Sequence, residues 1–85
     1  MLWEERPDRL EEKFSRVSGN QHGARYIRNG SQCFATGRLT ANKYDADDMQ
    51  ILILISQLLR VPVEFDFDKT RAYIDIAAIK SIGGE

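Results

Sequence analysis

The stretch Asp45–Val61 (DADDMQILILISQLLRV) constrains this chain most, because it holds five branched apolar residues in a row, Ile51 to Ile55, that need burial. Such a run also suits a strand buried on both faces. Its neighbours decide for a helix. Asp45 belongs to the residue types that cap helix N-termini by accepting a backbone N–H, and Asp47 and Asp48 then fall in the first turn, beside the positive end of the helix dipole. The apolar pattern continues through Leu58, Leu59 and Val61, past ordinary strand length. Arg60 falls in the last turn, and Pro62 biases Val61 away from helical geometry, so the segment predicts a helix over about 46–61.

On that helix Ile51, Leu54, Ile55, Leu58 and Val61 form a stripe at spacings of three and four, widened by Leu52 and Leu59. Gln50, Gln57 and Arg60 mark the polar side, with Ile53 among them. A helix apolar over most of its circumference is either deeply buried or shared with a partner. With 85 residues there is little to surround it with. Either Ile53 is a single exposed apolar residue on a core helix, which is ordinary, or Met49, Leu52, Ile53 and Ser56 form a homo-oligomer contact.

The length suits one small domain, and the 42% apolar and 29% charged fractions are those of a soluble globular protein. No apolar run is long enough to span a bilayer, so no membrane partner is expected. The N-terminus is charged from Glu4 onward and lacks the apolar core of a signal peptide, and Cys33 is alone, so a reducing, cytoplasmic setting is expected. Net charge is −1 but unevenly spread. Lys13 to Lys43 contains six basic residues and no acidic one, whereas Tyr44 to Asp68 contains six acidic residues against Arg60 alone. Such a split suits an anionic partner, head-to-tail association or two solvated faces.

Leu10, Phe14 and Val17 recur at helical spacing after Pro7, predicting an amphipathic helix over about 7–16 with Trp3 packed beneath it. Residues 18–23 (SGNQHG) read as a loop. Asn29-Gly30 is the preferred pair for a two-residue type I′ turn, predicting a hairpin over about 24–38 at a sheet edge, with Ile27 opposite Gln32, Tyr26 opposite Cys33 and Arg25 opposite Phe34. Residues 39–44 then connect to the long helix, anchored by Leu39 and Tyr44.

From Val63 the chain alternates. Val63, Phe65 and Phe67 point inward and Glu64, Asp66 and Asp68 outward; after a turn at Lys69-Thr70, Ala72, Ile74 and Ile76 point inward again. This predicts a second hairpin over about 63–77, with Ala77–Ile82 closing as a turn of helix before Gly83 and Gly84. The expected fold is α+β in α-β-β-α-β-β order, an antiparallel four-stranded sheet of two hairpins with two helices packed on one face.

Two charged clusters are candidate sites. A turn at Lys69-Thr70 sets Glu64 opposite Asp75 with Asp66 beside them, a carboxylate group that would take a hard cation or a basic partner unless the register slips or the row is simply solvated. Arg25, Arg28, Arg38 and Lys43, with Tyr26 and Phe34 between them, would bind anions or single-stranded nucleic acid through phosphate contacts and stacking. The near-neutral total charge weighs against nucleic acid. One histidine, His22, and one cysteine, Cys33, are too few for a tetrahedral metal site and show no catalytic pairing. No catalytic residue, metal or cofactor is therefore expected.

The α-β-β-α-β-β order resembles the scaffold of the pterin-4a-carbinolamine dehydratases, and Trp3-Glu4-Glu5-Arg6-Pro7 with Leu10 and Phe14 is similar to the start of the Rubisco assembly factors built on it. That family carries a histidine pair before a proline after its central helix. Here the place reads Arg60-Val61-Pro62, so the resemblance implies the scaffold without its chemistry. The first expectation for function is a non-enzymatic, homodimeric protein-interaction or regulatory module. The alternative is a nucleic-acid-binding module using residues 25–43, and the third is a dehydratase-like scaffold lacking its histidines.

Overall fold

The computed structural model describes residues 7–18 and 24–82. Its elements run α1 (Pro7–Ser18), β1 (Arg25–Asn29), β2 (Gln32–Asn42), α2 (Ala46–Leu59), β3 (Glu64–Phe65) and β4 (Arg71–Ser81), the expected order. The strands form one antiparallel sheet in the order β1-β2-β4-β3, and both helices pack on one of its faces. Trp3, the 19–23 part of the expected loop with His22, and the terminal glycines lie outside the described residues.

Helix α2 starts as its sequence requires. Asp45 is extended, and its carboxylate accepts the Asp48 N–H at 3.1 Å. Replacing Asp45 with alanine orphans that donor and is expected to cost about 1 kcal/mol, read from the thermal midpoint. The helix stops at Leu59, two residues short of the expected end. Arg60 takes the left-handed conformation (φ 59, ψ 44), and the N–H groups of both Arg60 and Val61 donate to the Ser56 carbonyl. Pro62 holds Val61 out of helical geometry, so the chain turns one residue earlier.

The buried face of α2 also differs from the expected stripe. Leu52, Ile55 and Leu59 enter the core cluster at 0, 1 and 3% exposure, whereas Ile51, Leu58 and Val61 are only half-buried against it. The helix is rolled so that its floor rests on the sheet and α1 covers one flank. Leu10, Phe14 and Val17 of α1 are buried as predicted, and the Phe14 ring meets Tyr26 of β1 edge-on at 5.5 Å. Arg16 Nε donates to Asp48 Oδ1 at 2.7 Å, tying α1 to the start of α2.

Both hairpins form, each shifted from the expected register. In the first, Asn29 pairs with Gln32, Ile27 with Phe34, Tyr26 with Ala35 and Arg25 with Thr36, so the turn residues are Gly30 and Ser31. Only Gly30 has a positive φ (65), the pattern of a type II′ turn with glycine first. A Cβ at Gly30 would meet nothing within 4 Å, so backbone conformation alone selects glycine there. In the second hairpin Glu64 pairs with Tyr73 and Phe65 with Ala72. Both shifts are by two residues, an even number, so every side chain keeps its face and the buried rows survive.

The second hairpin closes through a wider turn than Lys69-Thr70. The Asp66 N–H donates to the Arg71 carbonyl, and the Lys69 N–H to the Asp66 carbonyl at 2.8 Å. The Asp68 carboxylate accepts the Thr70 N–H and hydroxyl, which hold it below its ordinary pKa; the turn keeps that support above the ordinary carboxylate range and loses it as acid protonates Asp68. Phe67 sits in this turn fully exposed, and Phe65 is 52% exposed, so neither joins the core as expected. Pro62 has no N–H to donate and the chain must arrive there from α2, so only two residues of β3 pair.

Three further segments depart from expectation. Residues 39–42 belong to β2 rather than to a connection, with Leu39 fully buried opposite Ile74, while Tyr44 stays 76% exposed and anchors nothing. Ala77–Ser81 continue as strand rather than helix, because pairing with β2 resumes at Ala35–Lys80 and Phe34–Ser81. Between these pairs and Gly37–Ile76 the ladder breaks, so that Thr36 faces the three residues Ala77–Ile79. Gly37 stands at this bulge with φ 102, a backbone conformation that side chains resist.

Candidate interaction surface

The helices cover one face of the sheet and leave the other open. Across the open face Ile27 lies directly opposite Phe34, both half-buried. Further along, Arg38 lies opposite Asp75, and its guanidinium donates to Asp75 at 3.0 Å while stacking 4.3 Å from the centre of the Tyr73 ring. The Asp75 carboxylate raises the Arg38 pKa further, chiefly through that hydrogen bond. Both groups are well exposed, so solvent and salt screen the pair.

This pairing dissolves the expected acidic cluster. Glu64 faces Tyr73, and Asp75 faces a cation instead of Glu64. Among the described residues no three histidine, cysteine or carboxylate side chains come together as a metal site would need.

The basic candidates do not gather either. Arg25 pairs with Thr36 on the open face, whereas Arg28 pairs with Cys33 on the helix side. Tyr26 packs its ring on Phe14 beneath α1, and burial, with a hydrogen bond to Cys33, raises its phenol pKa above the ordinary value. That ring is not presented to a base. Lys43 lies in the turn after β2, its ammonium 5.5 Å from the Tyr44 ring and 6.0 Å from Phe65.

The expected helix contact also comes apart. Leu52 is fully buried, and Ser56 is 7% exposed with its hydroxyl donating to the Ile53 carbonyl at 2.7 Å. Met49 is half-buried, leaving Ile53 alone exposed at 41%. Beside Ile53 runs a groove of about 440 Å³, lined by Ile51 and Leu54 of α2 with Lys13 of α1 at one side.

A long open edge belongs to β4, whose last residues, Ala77–Ser81, are strand where the sequence predicts a turn of helix. Strand β4 spans 11 residues, but β3 pairs only with Ala72 and Tyr73. Among the described residues, the edge of β4 from Ile74 to Ser81 has no neighbouring strand on the side away from β2. Ala77, Ala78 and Ile79 at the bulge are exposed, Ile79 by 63%. Such a row of backbone donors and acceptors, with small and apolar side chains and no proline, is a template for another strand. The signal for it lay in Pro62: a partner that cannot extend past a proline leaves a longer strand uncovered.

Comparison with protein families, with curated proteins and with solved structures finds no match to this chain.

Proposed function

We propose that this chain is a non-enzymatic protein-interaction module that takes up an extended polypeptide segment along the free edge of β4. The observation that carries this reading is the uncovered stretch Ile74–Ser81 with Ala77–Ile79 exposed at its centre. A segment laid along the edge hydrogen-bonds through its main chain, and alternate side chains meet either the open face beside Ile79 or the helix side beside Lys80. Pairing with β2 on its other side holds β4 in an extended conformation before any partner arrives, which lowers the ordering cost.

Panning of random extended peptides against the folded chain, followed by amide exchange on the best binder, tests this. Protection concentrated in residues 74–81 is the expected result. Protection confined to α2 or its groove overturns it. So does a single-stranded oligonucleotide that binds better than any peptide and weakens steeply with salt, the signature of phosphate contacts.

A further inference from the structure

We infer that the segment taken up by β4 is an acidic one, with a carboxylate across from Lys80 and an apolar side chain across from Ile79, a reading that rests on strand addition at this edge. Pairing with β2 fixes which way each residue of β4 points. Lys80 lies opposite Ala35 and Ile76 opposite Gly37, so both stand on the helix side, and Ile79 and Ser81 stand on the open face. The Lys43 N–H donates to the Thr70 carbonyl and the Ile82 N–H to the Cys33 carbonyl, so even-numbered residues at both ends of the strand turn their backbone groups toward β2. Odd-numbered Ala77, Ile79 and Ser81 turn theirs to the bare edge, where an added strand would bond to them.

The two faces ask for different side chains. From Ile76 to Ser81 the one charged residue is Lys80. It is exposed, its neighbour on β2 is an alanine, and among the described residues no carboxylate pairs with it. Asp75, earlier on the strand, is on the open face and holds Arg38. An incoming strand therefore meets an uncompensated ammonium on its helix side, where an opposite charge is favourable and a like charge is not. On the open face Ile27 of β1 lies opposite Phe34 of β2, and Phe34 lies opposite Ser81 of β4. Ile79, two residues before Ser81 and on the same face, carries this apolar row to the edge and ends it there 63% exposed. An apolar side chain across from Ile79 extends the row over one more strand. Carboxylate and apolar group thus fall on adjacent residues of the incoming segment, which an extended chain points to opposite faces.

The test is fluorescence anisotropy with three labelled peptides of alternating valine and threonine, nine residues long by design and long enough to cover the edge at about 3.3 Å per residue. They differ only at the central threonine position, which carries glutamate, glutamine or lysine. The wild type is expected to bind the glutamate peptide about fivefold tighter than the lysine peptide, with glutamine between, and the difference shrinks in high salt. Lys80→Glu is expected to reverse the order, and Ile79→Ser to weaken all three peptides alike. Both residues are exposed, and circular dichroism checks that each variant folds. Amide exchange with the glutamate peptide bound is expected to show new protection at Ala77, Ile79 and Ser81. Equal binding of the three peptides with β4 protected overturns the acidic preference and leaves strand addition standing. So does a preference for glutamate that survives Lys80→Glu, since the basic contact then lies elsewhere. An edge that neither these peptides nor panned ones protect overturns strand addition, and this inference with it.

Discussion

Phe14→Ala is expected to destabilise the domain by about 3–5 kcal/mol, the usual cost of truncating a large buried aromatic side chain. Against a typical total stability of about 5–15 kcal/mol, that removes much of the margin. Phe14 is 2% exposed and sits where α1 closes over the β1–β2 hairpin, its ring edge-on to Tyr26. The change is read as a lower urea midpoint with an unchanged denaturant slope. A second readout is specific to this site. With Phe14 gone, Tyr26 loses part of the burial that raises its phenol pKa, so its ultraviolet titration should begin at lower pH. A loss below about 1 kcal/mol with an unmoved Tyr26 titration would mean that α1 does not seal this end of the core.

Leu52→Ala and Ile53→Ala, made side by side, are expected to differ sharply. Leu52 has no exposed surface, so truncation costs about 2–5 kcal/mol through lost burial and the cavity left behind. Ile53 is 41% exposed on the polar side of α2, and its truncation should stay within about 0.5 kcal/mol. The contrast between adjacent residues reports the roll of the helix about its own axis, which no measurement of helix content sees. Ile53→Glu also separates the two candidate surfaces: an extended peptide taken up along β4 still binds this variant, whereas one that binds α2 is lost. An equal cost for Leu52→Ala and Ile53→Ala would place the buried face of α2 elsewhere.

Much of the candidate surface was hidden from the sequence for a reason that Phe65 and Phe67 make plain. Alternation correctly places Phe65 on the same face as Ala72 and Ile74. Face is not burial, however: Phe65 stands on the two-residue edge strand β3 and Phe67 in the turn beyond it, both outside the buried cluster. The same reasoning explains the lost acidic cluster. A turn two residues wider moved Glu64 from Asp75 to Tyr73, because turn geometry, not side-chain preference, sets hairpin register, while Asp75 meets Arg38 on the β2 side of β4. In the first hairpin Asn29-Gly30 marked the turn, yet the single positive φ fell at Gly30 and carried Ser31 into the turn.

What the chain specified locally, it specified well: the Asp45 cap, the break imposed by Pro62, the 3.6-residue rhythm of Leu10, Phe14 and Val17, the alternation of 71–76, and through these the α+β order of the elements. Each of these depends on interactions within a few residues, so neighbouring sequence contains all the information. The roll of α2, the register of each hairpin, the brevity of β3 and the bare edge of β4 were decided by the assembled fold. They depend on which surfaces meet across the chain, and two registers or two helix rolls that hide similar apolar area differ by only the few contacts that packing in three dimensions supplies.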